Sequence, residues 1–424
     1  MLNKEKKENY IAILKEELVP ATGCTEPIAI AYCAAILRKV LGKQPERIKA
    51  DVSGNILKNV KSVVVPNTNG LKGLGAAIAA GVIAGDADKG LQVIASIPEE
   101  KVREIGEYLR RVQPEISCLE TTRTLDITLS AYAGENSAVV RIANSHSNVV
   151  YIEKDGKVLK ELPFADSSEE NLTDKSCLNV EDIVEFANTV DLGLVSELLD
   201  MQINYNTAIA EEGLNGNWGA NIGSVLLSEK PNDIKTEARA YAAAGSDARM
   251  SGCELPVVIV SGSGNQGITA SVPVICYAEK IGAEKETLYR ALLVSNLVTI
   301  HQKTGIGRLS AYCGAVSAGC GAGAGIAYLL GGDSDVISHT VVNAIAILSG
   351  VICDGAKPSC AAKIASAIEA GILGYEMYMQ GQQFLNGDGI VSDGVEKTIA
   401  SVGRLASVGM RQTDRTILDI MVGQ

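Results

Sequence analysis

Apolar positions recur along the chain with two different periods, and the changeover divides it. Residues 4–19 place Ile11, Leu14 and Leu18 at helical spacing, and Pro20 ends that pattern. Gly23-Cys24-Thr25-Glu26-Pro27 then reads as a tight turn, with Pro27 in the first turn of a helix running to about Val40. From about residue 46 the period shortens. IKADVSGN, KSVVVPN, LQVIASI, LDITLSAYAG, SAVVRIAN and NVVYIEKDGKVL alternate β-branched and polar residues and predict strands. Asp155-Gly156 predicts a hairpin turn. Helical patterns over 71–85 and 99–113 interrupt these strands. Beyond about residue 165 helical periodicity dominates, over 179–188, 192–212, 233–250, 284–303, 310–330, 335–353, 360–381 and 393–410, with one strand-like run from Leu255 into GSGNQG. The expectation is an α+β fold, in which an α+β domain of residues 46–165 is inserted into a mostly helical domain made of 1–45 and 166–424.

Composition changes this picture in a few respects. Aromatic residues are 4% of the chain and glycines number 43, so the core is expected to be Ala, Val, Ile, Leu and Gly in closely packed elements. The net charge of −12, without a basic stripe, argues against nucleic acid or an anionic membrane surface as a partner. Two uncharged runs, 255–278 and 309–332, are rich in Gly, Ser, Asn or Gln and read as buried core rather than membrane spans. The first residues have neither the apolar stretch nor the cleavage site of a signal peptide, so a cytoplasmic protein is expected, by default a symmetric homodimer. In that reducing compartment the ten cysteines predict no disulfides, and Cys33, Cys118, Cys177, Cys253 and Cys276 read as small hydrophobes.

Four stretches carry candidate chemistry. Gly262, Gly264 and Gly267 match the dinucleotide fingerprint, but Pro273 breaks the helical pattern after them and no acid follows where a ribose needs one. That segment reads better as a loop of exposed N–H groups opening a helix, suited to a small anion such as a carboxylate. Ser53–Asn59 gathers Asn55, Lys58 and Asn59 at a strand end. Cys24 stands just before a helix start, where the dipole favours a thiolate. The three histidines are too few for a zinc triad, and the role of His146 stays open. Cys313, Cys353 and Cys360 follow C-x39-C-x6-C, which is no known ferredoxin signature by spacing alone. Each, however, adjoins Gly, Asp, Pro or Ser, and Lys357 between two of them would lower thiol pKa values. Three thiolates would leave one iron of a cubane open, and Cys320 reads as a bystander rather than a fourth ligand.

Taken in order, GCTEP, SGNILKN, VSGSGNQG, AYCGA and CDGAKPSCAAK resemble the L-cysteine desulfidase family, relatives of the iron–sulfur L-serine dehydratases, over almost the whole chain. The resemblance implies a 4Fe-4S cluster on Cys313, Cys353 and Cys360 with one open iron site. It also implies a helical catalytic domain with an insertion that resembles an allosteric substrate-binding domain. The implied reaction turns L-cysteine into sulfide, ammonia and pyruvate without pyridoxal phosphate. The serine dehydratases carry Ser-Ser-His-Thr near where this chain has Thr22-Gly23-Cys24-Thr25, a departure that favours sulfur chemistry. Cys24 is therefore the expected base and Lys357 a weaker one. Ser261, Ser263, Gly264, Asn265 and Gln266 are expected to hold the substrate carboxylate, and Asn55, Lys58 and Asn59 to close over the carboxylate or amine. Three other readings stay open: an L-serine dehydratase of the same type, a pyridoxal-phosphate lyase using Lys357 or Lys363, and a non-enzymatic amino-acid sensor built on 46–165.

Overall fold

The computed structural model describes residues 2–22, 25–121, 123–163, 173–307 and 310–423. Cys24 lies outside the described residues. The fold is α+β, with two hydrophobic cores.

One core backs a six-stranded mixed sheet, ordered Glu115–Leu119, Arg47–Ser53, Asp126–Ala133, Asn136–Ala143, Val149–Lys154, Lys157–Glu161. The first pair is parallel and the rest are antiparallel. Alternation along Asp126–Ala133 buries Ile127, Leu129, Ala131 and Ala133 on one face. Asp155 and Gly156 both take left-handed φ (48° and 76°), the primed turn that Asp-Gly favours. Helices Thr25–Leu41 and Gly73–Ala84 cover the sheet; both are rich in Ala, which lets them pack closely. Helix Thr25–Leu41, grouped with the helical part by the sequence reading, thus buries Ala29, Ile30, Cys33, Ala34 and Leu37 in the sheet's core.

Two predicted strands do not form. KSVVVPN becomes an irregular turn in which only Val64 bridges to Lys72. LQVIASI becomes a 3-10 turn and loop. Val63, Val65, Val93 and Ile94 are all buried, so their side chains fill the core without a ladder partner. The edge strand Glu115–Leu119 was not anticipated, because its residues are exposed or half-buried and do not alternate.

The other core is made by helices, chiefly Gly264–Ile281, Lys285–Ile306, Gly314–Leu329, Ser334–Leu348 and Cys360–Met379. Both uncharged runs lie in it, and no helix among the described residues is long and apolar enough to cross a membrane. Helix Gly264–Ile281 continues through Pro273, against the sequence expectation; most of its residues are buried, and that packing offsets the one lost backbone bond. Strand Pro20–Thr22 pairs antiparallel with Pro256–Val258 and ties the start of the chain to the segment entering the glycine-rich loop. The final helix, Arg411–Val422, packs on helix Gly54–Val60 and the edge strand of the sheet.

Candidate functional site

A cavity of about 440 Å³ is lined by residues of both halves. Its helical side holds the three singled-out cysteines. Helices predicted from 310 and to 353 are shorter than expected, Gly314–Leu329 and Ser334–Leu348, and the freed segments pair with each other. Cys313 N–H donates to the Val351 carbonyl at 3.1 Å, Cys353 N–H to that of Ala311 at 2.5 Å, and Tyr312 bridges Ile352. Two cysteines forty positions apart are thereby set side by side. Cys313 caps helix Gly314–Leu329, and Cys360 is the first residue of Cys360–Met379. Each helix start favours a thiolate.

Burial works against that charge. It pushes the Cys313 thiol up to about 11, helped by neighbouring Cys353. Burial likewise raises Cys360, against the pull of Lys357 and Lys363. Thiols so crowded give up their protons when a metal supplies the missing positive charge. Among the described residues no three His, Cys, Asp or Glu side chains converge closely enough to hold a single metal ion. Three thiols on one cavity are the ligand type of a multi-iron group, whose ligands go to different iron atoms. The donor set therefore fits such a cluster. Cys320 is fully buried inside helix Gly314–Leu329, away from the cavity lining.

The loop between Cys353 and Cys360 is stapled by Asp354. Lys357 bonds Asp354 and, at 3.1 Å, the Gly355 carbonyl; Lys363 bonds Asp354 at 2.5 Å and the Ile352 carbonyl at 2.8 Å. Burial disfavours the Asp354 charge, but the two lysines outweigh it and hold the carboxyl below its ordinary range. Lys357, the expected weaker base, is thus turned to its own loop, while Lys363 and Lys303 line the cavity. Lys303 is half-buried, its ammonium donating to the Gly307 carbonyl at 3.1 Å, and desolvation depresses its pKa, with the thiols of Cys353 and Cys313 opposing.

Ser261, Gly262, Ser263, Asn265 and Gln266 line the cavity beside the thiols, and Gly264 begins the helix behind them. Ser261 and Gly262 take left-handed φ (49° and 75°), which turns the chain into the helix. Ser263 Oγ accepts the Gln266 N–H at 3.4 Å as its cap, leaving other first-turn N–H groups for an anion. Arg249 reaches Asn265 Oδ1 at 3.4 Å. Gln266 is 7% exposed, and its amide lies against Gly314, where an added Cβ would come within 2.7 Å. Its Oε1 and the Tyr312 hydroxyl are buried without a hydrogen-bond partner.

The opposite core contributes Asn55, Lys58 and Asn59 from helix Gly54–Val60 to the lining, together with Glu26, Thr124, Asn144 and His146. Lys58 is already engaged, paired with Asp414 at 2.5 Å, while Asn59 donates to Glu26 Oε1 at 3.2 Å. Thr25 Oγ1 lies 3.0 Å from His146 Nε2. Burial lowers the His146 pKa, with Glu26 opposing, so the ring is neutral at neutral pH. Sequence reasoning assigned no role to Glu26, His146, Arg249, Lys303 or Tyr312. Glu26 lies within GCTEP and His146 in a turn after a strand, but only the fold joins them.

The sequence profile of one family, described as serine dehydratase alpha chain, matches residues 88–419. A UPF0597 protein of Desulfitobacterium hafniense is 57% identical over 98% of this chain and 97% of its own. UPF0597 proteins of Lachnoclostridium phytofermentans and Treponema denticola are 51% and 47% identical, over 98% and 99% of this chain and 99% of each of theirs.

Proposed function

The chain belongs to the serine dehydratase alpha chain family, which points to an amino-acid lyase, and from that premise we propose that it is an L-cysteine desulfidase. The observation that carries the reading is one cavity lined by Cys313, Cys353, Cys360 and a helix N-terminus on one side and by Glu26 and His146 on the other. The family description names serine. Cysteine is preferred because Cys24 stands where the serine dehydratases carry histidine, and because soft sulfur suits an iron site.

When bound, a 4Fe-4S cluster on Cys313, Cys353 and Cys360 supplies a Lewis-acidic iron with one position open to the substrate's sulfur. The N–H groups opening helix Gly264–Ile281, with Arg249, bind and orient the carboxylate. Cys24 Sγ takes the α-proton; it is covalently next to Thr25, whose Oγ1 lies 3.0 Å from His146 Nε2. Loss of the proton and of HS⁻ leaves 2-aminoacrylate, which water converts to pyruvate and ammonia.

An anaerobic assay of sulfide and pyruvate, with L-cysteine beside L-serine, tests this. Equal amounts of both products from L-cysteine, formed faster than pyruvate from L-serine, are expected. Pyruvate from L-serine alone assigns a serine dehydratase instead, and no pyruvate from either removes the lyase reading. Cys353→Ala should lose iron while Cys320→Ala keeps it; a fully loaded Cys353→Ala overturns the ligand set.

A further inference from the structure

Four cationic side chains among the described residues line the cavity: Lys58, Arg249, Lys303 and Lys363. Lys58 is paired with Asp414 at 2.5 Å and Lys363 with Asp354 at 2.5 Å. Arg249 is engaged beside Asn265. Lys303 stands apart from these. It lies in the last turn of helix Lys285–Ile306, where its ammonium donates to the Gly307 carbonyl at 3.1 Å. That bond uses one of the three N–H donors of an ammonium. Among the described residues no carboxylate pairs with it; Glu17, which favours its charge from a distance, is held by Lys175 at 2.9 Å. A lysine that ends a helix ordinarily faces solvent and steadies the dipole. Here the side chain is half-buried on the cavity wall that also carries Cys313 and Cys353, where desolvation disfavours a charge without a partner.

We propose that Lys303 forms an ion pair with the α-carboxylate of the substrate. The inference rests on reading the cavity as an amino-acid lyase site. It adds a full charge to the N–H groups and Arg249 that orient the same carboxylate. Of the groups on the substrate, the carboxylate is the one that enters with a negative charge, because the sulfur enters as a thiol. The same cation repels the substrate's ammonium, so the molecule is seated with its carboxylate toward the helical core and its amine away from it. Specificity follows: the site takes amino acids with a free α-carboxylate and rejects esters, amides and amines that lack it, which would leave the Lys303 charge desolvated and uncompensated.

Two partial ligands separate the contributions. The first, 3-mercaptopropionate, has the carboxylate and the sulfur but no amine; cysteamine has the sulfur and the amine but no carboxylate. Their dissociation constants are measured by anaerobic calorimetry on the iron-loaded wild type, Lys303→Met and Lys303→Gln. Both changes remove the charge, and the second keeps a polar tip should the first fail to fold. Each should weaken 3-mercaptopropionate on the order of tenfold or more, the loss of a charge-assisted hydrogen bond, and leave cysteamine within about twofold. Iron content should stay full in both variants. A role confined to capping the helix would leave both constants where they are, and a role in supporting the thiols would lower iron or weaken both ligands alike. Either result overturns the proposal, as does failure of 3-mercaptopropionate to bind the wild type. Pyruvate formation by the wild type is scored separately, so a failed lyase reading is told apart from a failed carboxylate contact.

Discussion

Gly355, inside the loop that carries Cys353 and Cys360, is where the helical half packs backbone against the sheet-bearing half. It has φ 93°, and a Cβ built there falls 2.0 Å from the Lys58 carbonyl oxygen, with the Lys58 Cα at 3.2 Å. The obstacle is backbone, so no side-chain rotation relieves it. Gly355→Ala should therefore carry two penalties. A non-glycine residue at this φ costs about 1–3 kcal/mol, and displacing a packed backbone adds about 1–3 kcal/mol, for a total of about 2–6 kcal/mol. Urea unfolding followed by circular dichroism reads the loss. The control is Gly350→Ala in the same connecting segment, which is exposed, has nothing within 4 Å of its added Cβ and no left-handed φ. That change should stay within about 1 kcal/mol and can stabilise by limiting the unfolded chain. If the two variants unfold at the same urea concentration, the proposed lock between the loop and helix Gly54–Val60 does not exist.

Two more predictions use the same wall of the cavity. Burial depresses the His146 pKa below its ordinary 6.5, so the unfolded chain binds a proton more readily than the folded one. Stability is then full above about pH 6.5 and falls as the pH drops toward the folded value. His146→Gln should flatten that part of a stability–pH curve, and an unchanged acid limb would refute the assignment. Asp414→Asn leaves the Lys58 ammonium, whose side chain is 6% exposed, with its charge partner gone. Because Asp414 is itself 21% exposed, the cost should be about 2–4 kcal/mol, at or below the range for fully buried pairs. The double variant Lys58→Met/Asp414→Leu should lose less than the sum of its single changes, and strict additivity would deny the coupling.

What the sequence revealed was local, and what it hid was pairing over distance. The Asp155-Gly156 turn and the cap at Ser263 follow from the residues that form them. KSVVVPN carries strand propensity, yet Val63 and Val65 are buried beneath a loop, because burial and not pairing selected those side chains. The cysteine set was legible as a triplet with glycine and proline around it. The reason Cys313 and Cys353 can act together was not: it is the backbone exchange with Val351 and Ala311, which joins segments flanking two helices. Lys357 misled for the opposite reason. Its closeness in sequence to Cys353 and Cys360 suggested a base, whereas closeness to Asp354 governs where its ammonium goes. Glu26 was in plain view inside GCTEP, but its meaning depends on Asn59, which arrives from a different element.

The division of the lining between two cores has a mechanistic consequence. The thiols, Lys303, Lys363 and the helix N-terminus stand on the helical core, and in the proposed reaction the leaving sulfur and the carboxylate are held there. Glu26, Asn59 and His146 stand on the sheet-bearing core, and in the proposed reaction the α-proton leaves toward that side, where Cys24 precedes Thr25. In the proposed reaction both sides must meet one small molecule, and displacement by about 1 Å can cost on the order of a hundredfold in rate. The halves are held in register by Gly355 against the Lys58 carbonyl, where the Gly355 carbonyl also accepts from Cys360 Sγ at 3.5 Å, and by the Lys58–Asp414 pair. Loss of the Lys58–Asp414 pair should therefore lower turnover while iron content stays full, whereas loss of a thiol should remove both together. Asp414→Asn assayed for iron and for sulfide release distinguishes the two: a variant that loses iron in proportion to activity would show that the pair supports the thiol side alone.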